Sequence, residues 1–181
     1  MHLQATELET GLDHIRDSPR DAGSVELIVR RPAVGDREIL AQAELHLVEG
    51  LVGDNWRQRG SRLTDDGSAH PEMQLTVMNS RAVALVARRA DRWPLAGDQL
   101  YVDLDLSTDN LPAGTRLGLG TAVIEVTEPP HTGCAKFSQR YGVEALRFVN
   151  SPEGRRLRLR GMMAKVVGSG LVRPGDVVMK M

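Results

Sequence analysis

No apolar run in this chain is longer than the six residues Ala82–Ala87, and the others are cut short by glycine, proline or polar side chains. Runs of that size are too short for a membrane span and suit β-strands. Ser24–Arg31, SVELIVRR, is rich in Val and Ile and stops at Pro32, as a strand does before a residue that cannot donate to a ladder. Arg37–Val48 reads as a second strand. Gln74–Met78, Leu100–Leu106, Arg116–Leu119, Ala122–Val126, Met163–Val167 and Val177–Met181 follow as further strands. The turns Pro94–Asp98 and Leu111–Thr115 separate some of them, and Arg57–Pro71 is a long polar loop. Many short strands with a few helices predict a mainly β protein, a barrel or a sandwich.

Helical signals are local. Asn79 or Ser80 caps an amphipathic stretch to about Ala90, Ala135–Arg140 and Val143–Val149 have helical spacing, and Ser151-Pro152-Glu153 opens one more turn. Near the start, Leu3, Leu8, Leu12 and Ile15 recur at helical intervals before Ser18–Gly23 breaks the pattern. The division expected is an N-terminal helix or arm over 1–23 and a single domain over 24–181.

Composition narrows the function. Twenty-three Lys and Arg oppose 24 Asp and Glu, so no global field favours nucleic acid or an anionic membrane. Two residues each of Trp, Tyr and Phe offer no stacking platform for single strands. The opening residues do not show the basic-then-apolar layout of a secretory signal, and one cysteine makes no internal disulfide, so a reducing cytoplasm is the expected compartment. No G-x-G-x-x-G, Walker loop, H-E-x-x-H or C-x-x-C occurs, and histidines 2, 14, 46, 70 and 131 lack zinc spacing.

The lone cysteine lies in Glu128–Ser138, EPPHTGCAKFS. Pro129 and Pro130 force an extended entry, and Gly133 permits a bend into a helix starting near Ala135. Cys134 then sits at a helix start, where free N–H groups favour a thiolate, with His131 and Lys136 as added positive charge. A buried inert thiol is the plainer alternative. Four arginines, Arg155, Arg156, Arg158 and Arg160, fall within six positions. Their guanidinium forks suit a phosphate, and Lys165 on the next strand joins them. The competing reading is a solvated face. Two other functions fit the same residues: a Cys134/His131 hydrolase or transferase, and a non-catalytic barrel that binds a small anion.

From about Leu47 to its end the chain resembles the MOSC family, named for the C-terminal domain of molybdenum cofactor sulfurases. The resemblance rests on Gly50–Asp54, Gln74–Asn79, Ala96-Gly97-Asp98, Thr108–Leu111, Gly118–Val126, the proline-led cysteine, Gly161–Val166 and Pro174–Val178. It implies a distorted closed β-barrel like the barrel domain of pyruvate kinase. It further implies that Cys134 is the functional cysteine, carrying a persulfide or ligating molybdenum in the molybdenum cofactor (molybdopterin). His131, Lys136, Arg57, Asn110, Arg155, Arg156, Arg158, Arg160 and Lys165 would surround that cofactor. Some relatives reduce N-hydroxylated small molecules with electrons from a separate reductase. Others are associated with pyridoxal phosphate through a partner domain, for which this length leaves no room, so a sulfur donor would be a separate protein. Two departures stand out: Pro130-His131-Thr132-Gly133-Cys134 replaces the family's Pro-Arg-x-Pro-Cys, and Asn55 follows Gly53-Asp54 where an arginine is usual.

Overall fold

A computed structural model describes residues 3–181; Met1 and His2 lie outside the described residues. The strands are β1 (Ala22–Arg30), β2 (Glu38–Ile39), β3 (Ala43–His46), β4 (Gly50–Leu51), β5 (Leu75–Asn79) and β6 (Leu100–Asp103). They continue with β7 (Arg116–Leu119), β8 (Ala122–Val126), β9 (Met162–Gly168), β10 (Gly170–Val172) and β11 (Val177–Lys180). The helices are α1 (Ala5–Thr10), α2 (Leu12–Arg16), α3 (Trp56–Arg59), α4 (Ser80–Ala87), α5 (Ala135–Tyr141), α6 (Val143–Asn150) and α7 (Pro152–Arg156).

Seven strands close into a barrel in the order β1-β11-β7-β8-β9-β5-β6 and back to β1. All pairings in the ring are antiparallel except β5 with β6. That exception has a cause: parallel neighbours need a crossover, and α4 supplies it. Asn79 starts the crossover by accepting from Ala82 N at 3.0 Å while its Nδ2 donates to Leu104 O and Ser18 Oγ. β2 hangs on β1, and β10-β3-β4 form a separate small sheet. The predicted strand over 37–48 is therefore two strands, because Ile39 pairs with Val29 of β1 whereas Ala43–Leu45 pairs with β10. Of the polar loop predicted over Arg57–Pro71, only the start is helical, as the end of α3, and its last residue opens a short 3-10 turn at Pro71–Met73.

Strand alternation builds two cores from one ring. Leu75 and Val77, Leu100 and Val102, Leu117 and Leu119, Ile124 and Val126, and Met162 and Ala164 face the barrel interior. Val29, Met78 and Tyr101 face outward into a second cluster with Leu8, Val83, Phe137, Tyr141 and Val149 from the helices. On β1 the alternation slips: Val25 and Ile28, three residues apart, both point inward. A register irregularity between Val25 and Leu27 accounts for it, as an extra residue reverses the pleat. Each fully buried leucine is worth about 1.5–3 kcal/mol over its exposed form. The N-terminal helices belong to the second cluster, with Leu8 wholly buried and Ile15 nearly so.

Between β8 and β9 the chain leaves the barrel for residues 127–161, which carry α5, α6, α7 and Cys134. This insertion lies on the outer face of the ring.

Candidate functional site

Cys134 is the N-cap residue of α5, and its side chain is exposed. The approach to it is fixed from α6: Asn150 accepts from Gly133 N at 2.9 Å and donates to Gly133 O at 3.1 Å. A Cβ on Gly133 would stand 2.8 Å from Leu146 Cδ1 and 3.0 Å from Val149 Cγ2. A side chain at 133 would press on the side chains of α6, so close packing rather than a sharp bend favours glycine here.

The thiol borders a groove with a cavity of about 260 Å³. Six cationic side chains line it: Arg31, Arg37, Arg59, Lys136, Arg140 and Arg160. They come from the segment that follows β1, α3, α5 and the segment before β9. Two buried carboxylates stand behind them. Asp54 takes Arg31 through Nε at 2.9 Å and Nη2 at 2.8 Å, and also accepts from Arg31 N and Trp56 N. Asp98 takes Arg160 Nη1 at 2.6 Å, while Arg160 Nη2 donates to Ala96 O and the guanidinium lies over the Phe137 ring. Each aspartate follows a glycine with positive φ, Gly53 at 82° and Gly97 at 90°. That conformation is open to glycine at little cost, and here it turns the next carboxylate inward.

Six cations against two carboxylates leave a surplus of four positive charges at the groove. Arg37 donates only to backbone carbonyls, those of Pro94 and Asp36, and Arg140 to that of Leu95. Burial, followed by the neighbouring Arg140 and Arg31, pushes the Arg37 guanidinium below the usual arginine value. Burial and then Arg31 do the same to Arg59. Like charges held close in a partly desolvated groove favour an anion between them.

His131 does not add to that charge. Its Nδ1 lies 3.4 Å from Asp98 Oδ1, yet burial, with Arg160 as the next cause, outweighs the carboxylate and lowers its pKa to about 3. The ring is neutral at pH 7, which corrects its expected role as a cation beside the thiol. Among the described residues no hydrogen bond joins His131 to Cys134; its partner in space is Asp98. His131 Nδ1, Asp98 Oδ1, Arg160 Nε and Asn55 Oδ1 are all buried without a hydrogen-bond partner, and all four residues lie at this groove.

Of the residues singled out from sequence, Cys134, His131, Lys136 and Arg160 meet here. The others do not. Arg155 and Arg158 line a different cavity, behind the His131 segment. Arg156 pairs on the surface with Glu153 and Asp109. Lys165 faces out from the barrel to Glu125 at 3.3 Å, its cross-strand neighbour. Asn110 is buried elsewhere, donating to Arg20 O and Asp105 O and accepting from Lys180 Nζ. Arg57 is exposed and away from the groove; α3 turns Arg59 toward it instead. The four arginines separate because 155–160 is the end of α7 and a turn, with Arg158 at φ 49°, rather than an extended strand. Arg31, Arg37 and Arg140 went unrecognised in the sequence, as did Asn150. The frame aspartates sit in Gly-Asp pairs at 53–54 and 97–98, but the same pair at 35–36 and 175–176 keeps that signal from being specific.

A barrel of this order, with a free cysteine on the insertion beside a cationic groove, defines a class: the MOSC domain model matches residues 64–179, and the chain belongs to the MOSC domain family. That family is associated with the molybdenum cofactor. The match includes Cys134 but not Arg31, Arg37 or Arg59. Among solved structures, the chain is similar to the YUAD protein from Bacillus subtilis, with a TM-score of 0.65 at 14% identity over 87% of this chain and 94% of that one. It is also similar to YiiM from Escherichia coli, at 0.56 and 17% over 87% and 69%, and to YiiM from Geobacillus stearothermophilus, at 0.53 and 15% over 88% and 73%. At these identities the likeness is one of fold. No curated protein matches the sequence. Among the described residues no helix is long and apolar enough to cross a membrane, and no group of His, Cys, Asp and Glu is set to hold a metal on its own.

Proposed function

We propose that the groove binds the molybdenum cofactor, with Cys134 as the sulfur that ligates molybdenum or carries a sulfur atom to it. The observation that carries this reading is the position of an exposed thiol on the rim of a groove with four uncompensated positive charges. A thiolate is a soft donor suited to a thiophilic metal, and guanidinium groups suit a phosphate. Arg37, Arg59, Arg140 and Lys136 would hold the phosphate, while Arg31 and Arg160, tied to Asp54 and Asp98, form the rigid wall. The buried, unpartnered amide oxygen of Asn55 would accept a hydrogen bond from an N–H group of the ligand. The neutral His131 lies beside Asp98 and adds no charge. When bound, the cofactor supplies two-electron redox chemistry. The family resemblance extends the proposal to reduction of N-hydroxylated small molecules, with electrons, or donated sulfur, from a separate protein.

The test is metal and sulfur analysis of protein made in a host that synthesises the cofactor. Wild type is expected to retain molybdenum near one atom per chain, Cys134→Ala to lose it, and Arg59→Met with Arg140→Met to retain less. A sulfane adduct on Cys134 with no molybdenum selects the sulfur-carrier role. Wild-type protein with neither molybdenum nor sulfane sulfur would sink the reading.

A further inference from the structure

Three members of the four-arginine run, Arg155, Arg156 and Arg158, lie outside the proposed cofactor groove, and two of those three lack a carboxylate partner among the described residues. Arg156 and Arg160 have carboxylate partners. Arg155 and Arg158 have none among the described residues, and these two line a separate cavity of about 200 Å³ on the far side of the His131 segment. Arg155 donates Nε to Asn150 O and keeps both terminal nitrogens free of protein partners. Arg158 spends Nη1 on Leu106 O and Leu111 O and keeps Nε and Nη2.

Arg158 is half-buried, and burial lowers its pKa from the usual arginine value. A partly desolvated cation without a counter-charge is costly. Its backbone is also held in the left-handed region at φ 49°, with Gly161 N donating to Arg158 O at 2.7 Å. Glu128, the one carboxylate on the lining, is exposed and pairs with neither arginine. Gly161, at φ 109°, forms part of the partition from the Cys134 groove: a Cβ there would meet His131 Nδ1 at 3.2 Å and Val77 O at 2.5 Å.

We propose that this cavity is a second anion site, built by Arg155 and Arg158 for a small phosphate. Two positive charges with unspent N–H groups match a dianion better than a carboxylate. The cavity lining offers two cations, the charge of one phosphate dianion, so the ligand is inorganic phosphate or a small phosphomonoester. The site is independent of the cofactor reading and survives its failure.

Amide NMR of the full chain, titrated with inorganic phosphate at constant ionic strength, tests it. Phosphate is expected to shift the amides of Gly161 and Thr108 in wild type, in Cys134→Ala and in Arg59→Met. Arg155→Met, an exposed position, should weaken that event about tenfold, the loss of one charge-assisted contact. Arg158→Lys, which keeps charge but not the fork, should weaken it less than Arg158→Met. The proposal is overturned by shifts confined to the neighbourhood of Arg59 and Arg140, by equal affinity in Arg155→Met, by the absence of any shift, or by acetate binding as tightly as phosphate.

Discussion

On β5, Leu75 and Val77 face the barrel interior while Thr76, between them, faces the Cys134 groove; on β9, Met162 and Ala164 face inward and Met163 faces the groove. The same strands thus wall two compartments that differ in what they tolerate. The interior cluster is apolar at every position. The groove wall buries charge, but its deepest charges come as Arg31 with Asp54 and Arg160 with Asp98. The difference teaches that one compartment depends on volume and the other on pairing, so each should fail under a different substitution.

The largest expected effect is on the groove wall. Asp98→Ala leaves Arg160, 6% exposed, without its counter-charge, and breaking a buried pair from one side costs about 3–5 kcal/mol. Urea unfolding should report that loss, and the double change Asp98→Leu with Arg160→Leu should recover most of it. A loss of only about 1 kcal/mol, the level of an exposed pair, would show that this wall does not depend on the pair. In the interior, Leu117→Ala should cost about 3 kcal/mol by cavity formation, with molybdenum retention per folded chain unchanged. If it also released the cofactor, the two compartments would not be separable.

A pH dependence sharpens the contrast, since only the groove side holds a buried titrating base. His131 has a folded pKa of about 3 against an ordinary histidine value of 6.5. Above pH ~6.5 the ring is neutral folded and unfolded, so it contributes no pH dependence. Below that value the unfolded chain takes up a proton that the folded chain, with Arg160 and Arg31 facing the ring, refuses. Stability then falls with pH by ~1.4 kcal/mol per unit until the folded ring protonates near 3. Asp98 is the one group opposing this. His131→Gln should remove the slope contributed by this ring, measured as the difference between the two proteins' unfolding free energies from pH 7 to pH 4.5. Parallel curves would mean that the ring is hydrated and charged.

The barrel was largely legible in the sequence because strand length, alternation and turn residues act locally: Arg116–Leu119 and Ala122–Val126 form strands at the predicted bounds. The place of Cys134 at the start of α5 was legible too, because it follows from a helix that begins at Ala135. The cationic groove was not. Arg31, Arg37, Arg59 and Arg140 arrive from elements far apart in the chain, and an arginine bound for a groove reads like one bound for solvent. The four-arginine run misled for the converse reason, since adjacency along the chain is not convergence in space once a helix end and a left-handed residue intervene. Gly133 was read as a bend, whereas its constraint is contact with α6, which no local pattern records.

Cys134→Ala is the smallest perturbation to the fold and isolates the groove's chemistry from its architecture. The side chain is exposed, accepts no hydrogen bond from the first turn of α5 and makes no other side-chain hydrogen bond among the described residues. Such a site falls among surface substitutions that shift stability by about 0.5 kcal/mol or less. The loop should stay in place, because its anchors are the Gly133 backbone and Asn150. Unfolding of the variant and of wild type, both stripped of bound cofactor, should therefore coincide while molybdenum retention differs. A destabilised variant would move Cys134 from the chemistry of the groove into its framework, and any metal loss would then follow from a distorted pocket rather than from a missing sulfur.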